Sequence, residues 1–134
     1  MELKSNNPSI VYETAKIVEK YNAGNRIIIG SGNYFQNKRV HRVFPKCCHY
    51  LSQRDLYLFC TFGSLGMIHK YWQNFHVLET PINYYGVSLY PYIRKVSYKM
   101  GMPIFVWGAD DIDAINILKV DNIDGIITDR PDLV

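Results

Sequence analysis

The stretch GMPIFVWGADDIDAINILKVDNIDGIITDRP, residues 101–131, decides the fold. Residues 103–107 are a short apolar run carrying Ile104, Phe105 and Val106, which suits a strand buried on both faces. Asp110, with Asp113 three residues on, supplies a helix start. A carboxylate there accepts from unpaired backbone N–H groups and favours the positive helix end. Ile112, Ile115 and Leu118, with Ala114, then mark one helical face. The Asn-Ile-Asp-Gly break at 122–125 ends the helix, and Ile126, Ile127 and Thr128 read as a second buried strand. Two apolar strands joined by an amphipathic helix are the crossover unit of a parallel sheet or an α/β barrel.

The same alternation runs outward to the N-terminus. Asn7-Pro8 opens a helix over about 8–21, with Ile10, Thr14, Ile17 and Tyr21 on one face and Val11 and Val18 beside it. Ala23-Gly24 ends that helix, and residues 26–30 form another buried strand. In the turn that follows, Ser31 or Asn33 caps the next helix or touches a ligand. That helix, about 34–44, has Phe35, Val40, Val43 and Phe44 as its apolar set, and Lys38, Arg39, His41 and Arg42 outside. Residues 47–51 are the next strand, where His49 is either a hydrogen-bonded structural histidine or a phosphate donor and general acid. Ser52 with Asp55 has the form of a capping box. A helix over 88–100 carries Leu89, Ile93, Val96 and Met100 in register, tolerates Pro91 in its first turn, and stops at Gly101.

Between these elements lies an apolar stretch, 56–68, followed by Lys70, Tyr71 and Trp72. It is too short to cross a bilayer, which takes about 20 apolar residues. It suits either burial under a long loop or contact with a membrane surface or acyl chain.

A chain of 134 residues, 48% hydrophobic and 20% charged, is a folded single domain and is not disordered. Net charge is +3, unevenly spread: residues 26–99 carry ten Lys/Arg against Asp55 and Glu79, a balance of +8. Residues 110–134 carry seven acids against Lys119 and Arg130, a balance of −5. A basic middle faces phosphate or an anionic surface, or is simply solvated. Without stacking aromatics in a recognised motif it gives no reason to expect nucleic acid. Cys47, Cys48 and Cys60 have neither metal spacing nor disulfide parity, and read as small apolar residues in a reducing compartment. Glu2, Lys4 and Asn6-Asn7 replace the apolar core of a signal peptide, so the expected place is the cytoplasm or the cytoplasmic face of a membrane.

Trp107 at a strand end, then Asp124-Gly125-Ile126-Ile127-Thr128-Asp129 and Pro131 after a helix, resembles the close of the glycerophosphodiester phosphodiesterase family. That family's members are TIM barrels ending in a Trp-bearing strand, a helix and a Gly-(Ile/Val)-(Ile/Met)-Thr-Asp-x-Pro strand. Gly108-Ala109-Asp110 departs from the Thr-Val-Asn that often follows that Trp. Glu2-Leu3-Lys4, ahead of a helix and an apolar strand, resembles the family's Glu-(Ile/Leu)-Lys strand.

The resemblance implies that Glu2 is a ligand of a divalent cation (Mg²⁺ or Ca²⁺), that Lys4 meets the substrate phosphate, and that Trp107 lines the mouth or packs in the core. It further implies a partial TIM barrel, from roughly the fourth strand to the C-terminal strand. Residues 1–134 would form its C-terminal portion, with an apolar and aromatic insertion at about 53–82. The apolar stretch and the aromatic run ending in Pro81 are closest in style to the eukaryotic branch resembling lysophospholipase D.

The family's His-Arg-Gly and His-Asp elements are not among His41, His49, His69 and His76. The expectation is therefore a phosphoric diester hydrolase fold that is inactive as this chain alone, with open barrel edges inviting self-association. Two other readings stand beside it. One is a non-catalytic half barrel that binds lipid or a partner. The other is a flavodoxin-like domain with Gly30-Ser31-Gly32 as a weak phosphate loop.

Overall fold

A computed structural model describes residues 1–65, 67 and 74–134. They form two compact units, Met1–His76 and Val77–Val134.

The first unit contains α1 (Ser9–Lys20), β1 (Ile28–Ile29), α2 (Tyr34–Val43), β2 (Cys48–His49) and α3 (Gln53–Ser64). β1 and β2 pair in parallel, Ile29 opposite His49. Glu2 bridges Gly30, also in parallel, with Leu3 N–H donating to the Gly30 carbonyl at 2.9 Å. Residues 1–3, β1 and β2 therefore lie side by side in chain order, joined by helices. Alternation puts Leu3 and Ile29 on one face, where Val11 and Val18 of α1 and Val40 of α2 close the core.

Two helical faces differ from the periodicity. Ile17 and Tyr21 are exposed while Val11 and Val18 are buried, so α1 is rotated toward its β-branched pair. In α2, Phe35 is 74% exposed whereas Gln36 and Asn37 are buried. These amides are needed inside. Gln36 Nε2 donates to the Ser5 and Asn7 carbonyls, and Asn37 donates to the Tyr50 carbonyl and accepts from Ser31 N–H. The backbone beyond the ends of residues 1–3, β1 and β2 has polar groups that must be paired, and the two amides pair them.

Two of the expected caps form. Asn33 accepts from Gln36 N–H, and Ser52 accepts from Asp55 N–H while donating to Asp55 Oδ2 at 2.6 Å. Ser31 is buried and donates to the Leu3 carbonyl at 2.8 Å, so it ties the strand ends and does not cap α2. Cys47 is buried, but Cys48 is exposed and is no part of the core.

The second unit holds β3 (Leu78–Pro81), α4 (Tyr90–Met100), β4 (Ile104–Trp107), α5 (Ile112–Val120) and β5 (Gly125–Ile127). Its sheet is parallel in the order β3-β4-β5, with Pro81 opposite Trp107 and Trp107 opposite Ile127. Leu78, Thr80, Ile104 and Val106 are buried, and Tyr90, Ile93 and Val96 of α4 with Ile115 and Leu118 of α5 are buried too. Phe105, Trp107 and Ile127 occupy the opposite, more open face. β4 and β5 are thus not buried on both faces, contrary to the reading of 103–107 and 126–128. α4 begins at Tyr90 and ends on Gly101, whose φ of 64° is the left-handed closure glycine permits.

Asp110 does not start α5. Asp111 does, accepting from Ala114 N–H at 2.8 Å. The Asp110 carboxylate accepts from Thr128 Oγ1 and Asp129 N–H, joining the loop after β4 to the loop after β5. Gly108, in the same loop, has a φ of 76°, a left-handed conformation that glycine permits.

Candidate active site

Glu2 and Lys4 stand two apart beside β1, and Lys4 Nζ lies 3.8 Å from Glu2 Oε2. The side chains share a side, as extended geometry requires. Both are open to solvent, 84% exposed for Lys4 and 46% for Glu2. An ion pair so exposed contributes about 0–1 kcal/mol, so stability does not account for it.

The carboxylate sits beside the loop after β1: a Cβ built on Gly32 would lie 3.7 Å from Glu2 Oε1. It therefore occupies the carboxyl end of the strands, on the face opposite Leu3. An open groove of about 470 Å³ adjoins Gly32, walled by Tyr34, Arg54, Tyr57 and Leu58. The Arg54 guanidinium lies 4.3 Å from the centre of the Tyr34 ring, and Lys38 Nζ lies 4.8 Å from it. The Arg54 contact holds a cation at the groove and crosses from α3 to α2, so sequence spacing did not reveal it, whereas Lys38 and Tyr34 are i,i+4 neighbours within α2.

Trp107 ends β4 and is 45% exposed. Phe105 shares its face and lies against Gly125, where an added Cβ would meet the ring at 2.7 Å. The same device occurs in the first unit, with Tyr50 against Gly30 at 2.7 Å. In each unit a glycine makes room for an aromatic ring on the face away from the buried helix contacts.

His49 is structural. Its Nε2 lies 2.9 Å from the Phe44 carbonyl and its Nδ1 3.2 Å from the Ile29 carbonyl. Burial lowers its pKa, with the two carbonyls pulling the other way. His41 stacks on His49, and burial, reinforced by His49 and His76, pushes it down to about 4. Burial raises the Cys60 thiol to about 11, which leaves it unreactive. His69 and the Lys70, Tyr71 and Trp72 segment lie outside the described residues.

No cluster of three or more His, Cys, Asp or Glu suited to a metal occurs among the described residues. One carboxylate is too few for Mg²⁺ or Ca²⁺, which take six or more oxygens. The described residues by themselves do not fit the divalent cation that the resemblance implies. No helix among the described residues is long and apolar enough to cross a membrane.

No family model matches the chain. It is 28% identical over 137 residues to the Mycobacterium tuberculosis protein named Probable glycerophosphodiester phosphodiesterase 2, a match covering 94% of this chain and 50% of that protein. Among solved structures it is similar to a glycerophosphodiester phosphodiesterase from Agrobacterium tumefaciens, with TM-score 0.65 and 20% identity over 98% of this chain and 53% of that one. It is likewise similar to one from Parabacteroides distasonis, with TM-score 0.63 and 22% identity over 98% of this chain and 52% of that one. At such identities the structural likeness concerns the fold. The chain spans about half the length of these relatives, and the resemblance read at its two ends extends along nearly all of it.

Proposed function

We propose that these residues are the C-terminal portion of a phosphodiesterase barrel that hydrolyses glycerophosphodiesters, and that they supply part of its active site. The carrying observation is the Glu2–Lys4 pair at the carboxyl end of the strands, where α/β barrels hold their chemistry. In this reading Lys4 takes the phosphoryl charge and Trp107 packs on the glycerol or head group. Glu2 would be one ligand of a divalent cation whose remaining ligands come from outside these residues. The parallel strands within each unit, each in chain order, support the barrel reading and give no support to a flavodoxin-like order.

The test is reconstitution. Joined to the N-terminal half of the Mycobacterium relative, the chain is expected to hydrolyse glycerophosphocholine with Mg²⁺ or Ca²⁺. Glu2→Gln in that fusion should lower kcat at least about 100-fold, on the scale of losing one preorganised electrostatic group. A folded fusion with no turnover, or one indifferent to Glu2→Gln, would refute the assignment.

A second reading, contact with a lipid surface or acyl chain through 56–72, rests on the exposed apolar residues Tyr57, Leu58, Phe62 and Leu65 of α3 and its end. Phe59 is fully buried and belongs to the core instead. Leu58→Asp with Phe62→Asp should abolish co-sedimentation with anionic vesicles while the far-UV spectrum is kept. Unchanged sedimentation discards this reading.

A further inference from the structure

On the face of the first unit's sheet opposite Glu2, a cavity of about 560 Å³ opens beside β2. Its wall includes Lys38, His41 and Arg42 of α2, His49 of β2, Asp55 of α3, and His76. The His41 and His49 rings stack with centroids 3.9 Å apart and 25° between their planes. His76 accepts the His49 backbone N–H at Nδ1, 3.1 Å away, so in its neutral form the ring proton is on Nε2. His41 Nε2 is buried with no hydrogen-bond partner among the described residues. A buried polar atom left unpaired is costly, and the wall keeps His41 despite that cost.

Charge in the wall is lopsided. Arg42 makes no ion pair among the described residues. Among the described residues of the wall, the cations Lys38 and Arg42 face the single carboxylate of Asp55, whose Oδ2 accepts from the Ser52 hydroxyl at 2.6 Å. Two cations and the imidazole N–H groups against one carboxylate favour a ligand made of acceptors. We propose that this cavity binds a small oxyanion of the phosphate type, held by Arg42 and by ring N–H groups of His41 and His76. Its volume admits the anion free or as a small monoester. The site is independent of Glu2 and of the reaction proposed above.

The experiment follows the histidine ring signals of the full chain by NMR during titration with inorganic phosphate and, separately, with methyl phosphate. Saturable shifts of His41 and His76 with either probe are expected, and the tighter probe identifies the free or esterified form. Arg42→Gln should weaken binding about tenfold or more, while Arg42→Lys should retain part of it, since charge survives without the bidentate fork. Glu2→Gln should leave the titration unchanged. No saturable shift up to about 20 mM, a range that would catch even millimolar affinity, overturns the proposal. Equal affinity in a folded Arg42→Gln variant overturns it too.

Discussion

Asp110 and Asp111 are adjacent carboxylates with separate tasks, one joining two loops and the other capping α5. Asp111→Ala should cost about 1 kcal/mol, the usual worth of an N-cap. Asp110→Ala should cost about 1–2 kcal/mol through two lost hydrogen bonds. Asp113→Ala, which removes a first-turn charge but no cap, should change the urea midpoint least. Equal midpoints for the Asp110 and Asp113 variants would refute the loop-joining role. The two glycines beneath aromatic rings differ in the same measurable way. Overpacking costs about 1–3 kcal/mol. Gly30→Ala should fall at the upper end because the Tyr50 ring is buried and has nowhere to move. Phe105 is only partly buried, so its ring can yield, and Gly125→Ala should cost less.

At the level of elements, α2 and β2 are held together through imidazoles. Both His41 and His49 titrate below the ordinary histidine range, because burial disfavours the charged ring. The unfolded chain then binds more protons than the folded one at mildly acidic pH, so stability rises with pH there. The stabilising contribution is complete above the unfolded value of 6.5 and is lost as pH falls toward the folded His41 value of about 4. Urea midpoints measured from neutral pH downward should therefore fall through this window, and more steeply than in His41→Phe. Parallel curves for the two proteins would show that His41 does not contribute. Apolar periodicity misjudged α2 for a related reason. It scores Phe35 as core and cannot see that Gln36 and Asn37 are required inward by carbonyls many residues away.

For the molecule as a whole, the number of carboxylates sets the expectation. The chain alone, incubated with glycerophosphocholine and either Mg²⁺ or Ca²⁺, should release no product. Turnover by the isolated chain that disappears with Glu2→Gln would mean that the missing ligands are supplied some other way, for instance by a second copy. The open sheet face in the second unit, bearing Phe105, Trp107 and Ile127, belongs to this scale too. Composition made those two strands look fully buried because an apolar run carries no alternation that would mark one face as open.

Local information determined the alternation of strands and helices, the cap at Ser52, a cap at either Ser31 or Asn33, the stop at Gly101, and the two terminal motifs. All of these depend on residues within a turn or two of one another. Only tertiary structure decided which face of α1 and α2 is buried, that Asp110 bonds across to Thr128 and Asp129, that Arg54 of α3 reaches the Tyr34 ring of α2, and that three histidines meet around one cavity. Each of those depends on groups brought together by the parallel pairing of strands or the packing of separate helices, and the spacing of residues along a chain carries no record of such distances.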